Sequence, residues 1–416
     1  MATASHLAQV IREGVREELA TTSASTHPAW AQLKQLGTDL WLDTGDLDEA
    51  ARLWSAEFTA LTTNNTLLNK EIQKGLYDEW IPSAADAACA DQPGLDGQEL
   101  VLEIAFALNA RHGLRLVERF GANVSVELHT DLAHDVERSV AYGERYHELC
   151  PEHFIVKVPL TPHGLVAARR LTDQGIRVNF TLGFSARENV LIARVARPDY
   201  LNVFLGRLNA YVANEGLGDG QLVGERATLA TQSAIAKLRQ QLGTSTRLIA
   251  ASMRSGEQVA SLAGLDVYTM PLPVAEGFID SDPDLGSLCD RTSNDYRPSW
   301  APGVDPTAEG LEDLWNVSPE FEATCQQLGE LPASSLTPDG IVDALHKGGV
   351  GSVLPRLGNT DLTRIAEAGK MPKRSQWSAQ LADGSVGLDA LFTLAGLYSF
   401  AQDQAALDER IRKMLR

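Results

Sequence analysis

Residues 154–184 read FIVKVPLTPHGLVAARRLTDQGIRVNFTLGF, and this stretch decides the fold. It opens on a near-continuous apolar run, FIVKVPL (154–160). It then passes into a helical pattern, VAARRLTDQG (166–175), stopped by a glycine, and returns to a second apolar run, RVNFTL (177–182). Continuous apolar runs, rather than strict alternation, are how the strands of a parallel sheet read when both faces are covered. The same unit recurs on either side. Before it stand LWLD (40–43), ALTTN (60–64) and NVSVEL (123–128); after it stand YLNVFLGR (200–207), TRLIAAS (246–252) and LDVYTMPL (265–272). The spacers SARENVLIARVAR (185–197), RATLATQSAIAKLRQQLG (226–243) and SGEQVASLAG (255–264) are helical in pattern. Ser185 and Ser255 sit where a helix takes a cap, and Gly243 and Gly264 where it stops. Eight strands with helical crossovers are the arithmetic of an α/β protein of the (β/α)8 TIM-barrel class, with its core at about 38–275.

The remaining segments attach to that core. The interval 65–122 carries two helical patterns, 67–80 and 97–118, so one crossover is enlarged. Residues 1–37 read as a helical N-terminal extension. Residues 280–345 are acidic and rich in turn residues, and 280–375 as a whole reads as a loop-rich and helical insert. The stretch 385–416 has apolar residues at a spacing close to 3.6, with Lys and Arg crowding its last turn, and is read as one or two amphipathic helices. The expectation is a single domain, 1–416, with extra N-terminal and C-terminal helices.

Composition narrows the function. Among 416 residues, 55 acids against 36 bases leave a net charge of −19. A nucleic-acid surface needs clustered Lys and Arg, which this balance disfavours, whereas a pocket for one phosphorylated metabolite needs only two or three cations. No apolar run reaches the ~18 residues of a membrane span. The four cysteines (Cys89, Cys150, Cys289, Cys325) are scattered, with no CxxC. They fit a reducing compartment and rule out a disulfide framework or a cysteine zinc site. With no apolar core to the N-terminal segment, a cytoplasmic protein is expected.

In such a barrel, residues at the C-terminal ends of the strands converge on one face. Seven of the eight predicted strands supply a polar residue there: Asp43, Asn64, Glu127, Lys157, Thr181, Arg207 and Ser252. Lys157 lies between Val156 and Val158. Burial disfavours the charged form of an amine, and a neutral amine is a nucleophile towards a carbonyl, so Lys157 is a Schiff-base candidate. The bland reading is a lysine that reaches solvent or pairs with an acid. Asp43 is either an acid/base group or the cap of the next helix. Glu127 either pairs with Lys157 or holds a water for proton transfer. Arg207 and Arg254, with Ser252, would cradle a phosphate monoester, or else pair with the many surface acids. His129 and His134 lack an acid at ligand spacing, so no metal is expected.

Taken in order, LDTGD, TTNN, VSVEL, IVKVPLTPHG, VNFTLGFS, VFLGR and AASMR resemble transaldolase, across about 38–275, and 389–415 resembles that family's terminal helix. The resemblance implies a class I, metal-independent and cofactor-free transferase of the pentose phosphate pathway. Such an enzyme moves dihydroxyacetone from a ketose phosphate (sedoheptulose 7-phosphate or fructose 6-phosphate) to an aldose phosphate. It implies Lys157 as the imine-forming residue, Asp43 as the acid/base group, and Glu127 and Thr181 as holders of the catalytic water. It places Asn64, Thr63, Asn179 and Asn202 on the sugar, and Arg207, Arg254 and Ser252 on the phosphate. Partners are sugar phosphates, with a homodimer as a candidate assembly. Asn65, Gly183 and Asn202 depart from the family pattern and are expected to border the pocket. The alternatives are a fructose-6-phosphate or other sugar aldolase, and an inactive phosphosugar-binding barrel.

Overall fold

A computed structural model describes residues 5–16 and 25–416. Eight parallel strands close into a barrel in sequence order: β1 (Asp39–Asp43), β2 (Phe58–Thr62), β3 (Asn123–Glu127), β4 (Phe154–Pro159), β5 (Val178–Thr181), β6 (Tyr200–Phe204), β7 (Arg247–Ala251) and β8 (Val267–Pro271), with β1 paired to β8. Every residue of β4 and β5 is buried, as expected of strands that face the barrel interior on one side and helices on the other. Trp41 and Tyr200, on strands that are not neighbours, meet edge-on with ring centroids 4.7 Å apart and fill the interior below the site.

The helices begin and end where local chemistry dictates. The helix Pro162–Asp173 starts on the Thr161 cap with proline in its first turn and stops before Gly175, whose φ is 79°. Ala186–Val195 opens on a capping box between Ser185 and Glu188.

Several expectations need correction. Residues 67–80 are not one helix: Asn65–Gln73 ends in a turn, and a second helix, Ile81–Asp91, precedes Gly97–Phe120. The run 200–207 is a strand only to Phe204, and Leu205–Asn214 is helical, so Arg207 sits in the first turn of a helix. In the N-terminal extension the described helices are His6–Arg12 and Pro28–Gln35; the expected helix at 1–4 and 17–24 falls outside the described residues. The acidic 280–345 segment is only partly loop. Pro319–Glu330 and Pro338–Lys347 are helices, and Asn359–Ala368 follows.

The chain ends in one long helix, Leu388–Met414, laid over the mouth of the barrel and fastened along its length. Asp389, fully buried, accepts from Ser185 Oγ at 2.6 Å and from Arg187 Nε at 2.7 Å, while Arg187 also reaches Asp313 of the insert at 2.9 Å. Further along, Thr66 bonds Asp403, and Arg410 holds Asp78.

Thr393 Oγ1 lies 2.7 Å from the Leu182 carbonyl and 2.8 Å from Glu188 Oε1. A hydroxyl has one hydrogen, so with that hydrogen on the carbonyl the second contact requires a proton on Glu188. Burial, reinforced by the Asp389 charge, pushes the Glu188 carboxyl up to about 8. The folded chain therefore holds a proton that the unfolded chain releases near its ordinary value of 4.5, and stability falls as pH rises through the window from about 4.5 to about 8. Each unit of such a shift is worth about 1.4 kcal/mol. Glu188→Gln, which keeps the neutral shape, is expected to flatten this fall. Denaturant midpoints at pH 6 and pH 8.5 check it, and an equally steep loss in the variant would show that Glu188 is not the group responsible.

Candidate active site

The C-terminal ends of the strands surround a cavity of about 170 Å³. Its wall includes Asp43, Asn64, Lys157, Asn179, Asn202, Arg207, Ser252 and Arg254, drawn from six strands or the turns that follow them. Register explains the grouping at its centre. Glu127 on β3 pairs with Lys157 on β4, and Lys157 with Asn179 on β5, so the three stand side by side in one layer of the barrel.

Lys157 is 4% exposed. Its Nζ donates to the Thr63 carbonyl at 3.2 Å and lies 3.7 Å from Glu127 Oε2. The solvent-reaching alternative is therefore wrong, and the ion-pair alternative describes a real contact. Glu127 is held by its backbone: Asn109 Nδ2 donates to its carbonyl at 2.7 Å. Burial pushes the Glu127 carboxyl above its ordinary range, against the pull of Lys157.

Asp43 does not cap the next helix; Asp46 does, accepting from the Asp48 and Glu49 amides. Asp43 instead accepts from Thr62 Oγ1 at 2.9 Å, and Thr62 meets Thr269 at 2.6 Å. Burial raises its carboxyl, against the opposing charge of Lys157. An acid held in this way keeps or returns a proton closer to neutral pH than a solvated carboxylate.

The cationic end is built by a close approach. A Cβ on Gly206 would come within 2.1 Å of the Ser252 carbonyl, so only glycine lets β6 and β7 bring Arg207, Ser252 and Arg254 together. Ser252 takes a left-handed φ of 62° just past β7. Arg207 is buried, faces the rings of Phe204 at 5.3 Å and Phe400 at 5.9 Å, and donates to the Lys370 carbonyl at 3.4 Å. Among the described residues neither Arg207 nor Arg254 forms a salt bridge, so pairing with surface acids is not what holds them. Burial, and then the neighbouring Arg254, hold the Arg207 guanidinium down to about 10.

Other candidates are placed differently. Thr63, Glu127 and Thr181 are buried behind the cavity wall rather than on it. Thr63 Oγ1 donates to the Ser125 carbonyl, and the Thr181 hydroxyl is buried without a partner among the described residues. Asn64 lines the cavity but also spends its Oδ1 capping the helix Asn65–Gln73. Asn202 borders the cavity, whereas Asn65 and Gly183 do not line it; a Cβ on Gly183 would meet the Asn202 carbonyl at 2.4 Å, a packing requirement.

Sequence reading missed Thr62, Thr269, Phe204, Lys370 and Phe400, which line the cavity. The eighth strand, which offered no polar end residue, supplies Thr269. Phe400 and Lys370 come from outside the predicted core, and no local signal marks them. The acid that His129 lacked in sequence also arrives by folding: His129, Asp131 and Asp408 converge within 4.8 Å. Each of the three residues is engaged within the protein. The Asp131 amide donates to His129 Nδ1, His129 Nε2 faces Asp408 at 3.2 Å, and Gln98 bridges the two carboxylates. This cluster fastens the terminal helix.

A buried lysine beside two carboxylates shares one cavity with two arginines that form no salt bridge among the described residues, at the C-terminal face of a (β/α)8 barrel. The family model described as transaldolase/fructose-6-phosphate aldolase matches residues 40–309, and the chain belongs to that family. It is 30% identical over 246 residues to a transaldolase of Xanthomonas euvesicatoria, covering 58% of this chain and 74% of the relative. It is 34% identical over 238 residues to a probable transaldolase of Thermus thermophilus, covering 56% and 86%. Among the described residues no helix is long and apolar enough to cross a membrane.

Proposed function

We propose that the protein is a transaldolase, a transferase that carries dihydroxyacetone on Lys157 from a ketose phosphate to an aldose phosphate. The observation that carries this reading is the Lys157 amine, buried between Glu127 and the cavity, with Asp43 on the same wall and the Arg207–Arg254 pair available for phosphate.

The Lys157 nitrogen adds to the ketone carbon, and the resulting carbinolamine loses water to give an iminium ion. Asp43 takes the proton of the C4 hydroxyl. The C3–C4 bond breaks, the aldose leaves, and the bonding electrons pass into the iminium to form an enamine on Lys157. The enamine then attacks the aldehyde of the acceptor, Asp43 returns the proton, and water releases the product. Glu127 and Thr181 hold that water; the Thr181 hydroxyl has no partner among the described residues, which leaves it free to bind one. Asn64, Asn179 and Asn202 offer amides to the sugar hydroxyls, and Arg207, Arg254 and Ser252 bind the phosphate.

Borohydride reduction in the presence of fructose 6-phosphate tests this. The expected result is a stable three-carbon adduct on the peptide containing Lys157; an adduct elsewhere, or none, would overturn the reading. Supplying fructose 6-phosphate alone separates transfer from aldol cleavage. Product formation that depends on added aldose phosphate supports transfer, while steady release of free dihydroxyacetone would assign the aldolase branch of the family.

A further inference from the structure

Glu225 stands in the first turn of the helix Val223–Leu242 and is 4% exposed, yet it forms no salt bridge among the described residues. Burying a carboxylate without a cation is unfavourable unless donors surround it. Its donors are two side-chain amides from other elements. Asn209 Nδ2 lies 3.0 Å from Oε2, and Gln258 Nε2 lies 2.8 Å from Oε1. Each amide then gives its oxygen to the main chain: Asn209 Oδ1 accepts from the Gly224 amide at 2.6 Å, and Gln258 Oε1 from the Arg254 amide at 2.6 Å. Asn209 follows Arg207 on the helix Leu205–Asn214, and Gln258 follows Arg254 on the helix Gly256–Ser261. One carboxylate therefore ties the helix that carries Arg207 to the turn that carries Arg254. Two converging NH2 groups need a partner that only accepts, which is what a carboxylate is. A carboxylate placed directly on the arginines would compete with phosphate for them; with amides between, both guanidiniums stay open to an anion.

We propose that Glu225 is a positioning residue for phosphate recognition in this chain: through Asn209 and Gln258 it sets the spacing at which Arg207 and Arg254 close on one phosphate monoester. This rests on the phosphate-binding part of the function proposed above. The need for such a link follows from where the sheet stops. The pairing of β6 with β7 ends at Phe204 and Ala251, before either arginine. Past that point the ladder no longer fixes the two chains, and two neighbouring guanidiniums repel each other. The close approach at Gly206 holds them on the near side. The Glu225 link fastens them on the far side of both arginines, at residues 209 and 258, so that neither element turns about the Gly206 contact. A cradle held at two points is already at its working spacing when phosphate arrives, and none of the binding energy is spent on ordering it.

Glu225→Gln keeps the shape but turns an NH2 group against one of the two donors. It is expected to raise KM for fructose 6-phosphate about tenfold, the scale of a small misplacement of binding groups, with a lesser change in kcat. The dihydroxyacetone concentration that gives half-maximal borohydride trapping should stay at the parental value, because that ligand has no phosphate. Inorganic phosphate should need about a tenfold higher concentration to give the parental rise in melting temperature. Exchanging the two side chains, Glu225→Gln with Gln258→Glu, restores every bond: the new amide at 225 accepts from Asn209 and donates to the new carboxylate at 258, which still accepts from the Arg254 amide. That pair should return KM to within about threefold of the parent. A parental KM for fructose 6-phosphate in Glu225→Gln, an equal loss with dihydroxyacetone, or an exchanged pair no better than the single variant would overturn the proposal. If Glu225→Gln does not fold, Gln258→Met, which cuts only the link to Arg254, should show the same split between the two ligands, and its absence would count equally against Glu225. The phosphate titration involves no reaction, so absent trapping in the parent removes the imine reading alone. A parent whose melting temperature ignores phosphate removes the phosphate site and this proposal with it, whereas a parent and variant that respond equally remove only the role of Glu225.

Discussion

Lys157→Met is expected to abolish turnover and the borohydride adduct together, while leaving the barrel folded. Methionine is close to lysine in length, and its flexible thioether suits packing beside Phe400, whose ring centroid lies 6.0 Å from the Lys157 Nζ. What it lacks is the nitrogen. Removing a covalent nucleophile costs roughly 10⁴- to 10⁶-fold in kcat where the remaining groups act only through it. Stability is affected in two opposed ways. Glu127 loses its partner at 3.7 Å, which is unfavourable if it stays charged. However, burial already raises its carboxyl, which favours the neutral form and limits the penalty. The melting temperature is expected to stay within a few degrees of the parent, as measured by calorimetry at neutral pH. More than about one per cent of parental activity in a folded Lys157→Met enzyme would exclude an imine on this residue, because no such loss is consistent with the range above.

The second large effect concerns phosphate. Arg207→Ala is expected to raise KM for fructose 6-phosphate by about two orders of magnitude, the scale of losing a charge-assisted bond in a buried site. KM for unphosphorylated dihydroxyacetone should change little, and kcat less than KM. Arg254→Ala should act in the same direction more weakly, because Arg254 is exposed at the rim while Arg207 is buried. The double variant should lose less than the sum of the two, since both arginines would hold one group. Arg207 carries a further signature. It is a buried cation without a carboxylate, held down to about 10 by burial and by Arg254, so it destabilises the empty protein. Inorganic phosphate should therefore raise the melting temperature of the parent, and Arg207→Met should melt higher than the parent in phosphate-free buffer. Equal KM effects on phosphorylated and unphosphorylated substrates would contradict a phosphate cradle.

Much of this was legible along the chain. The eight strands, their order and the layer holding Lys157 follow from short apolar runs separated by capped helices. In a barrel of this kind neighbouring strands are neighbours in sequence, so local pattern is sufficient to predict topology. For the same reason Asp43, Asn64, Lys157 and Arg207 could be picked out before any distance was known, as charged or amide groups at the end of an apolar run, whereas Asn179 came only from the family resemblance.

What folding alone decided lies between residues far apart in sequence. The terminal helix brings Phe400 onto the cavity, and the insert brings Lys370 to Arg207. Asp389 and Thr393 reach the turn after β5 across more than 200 positions. Asp408 completes a cluster with His129 across 279. The Asn65–Glu127 bond depends on the angle at which one helix leaves β2, a quantity with no local signature. Periodicity reports which face of an element is buried, because that is a property of neighbouring residues. It carries no information on which distant element covers that face, because that choice is made by packing and by satisfying buried polar groups all at once.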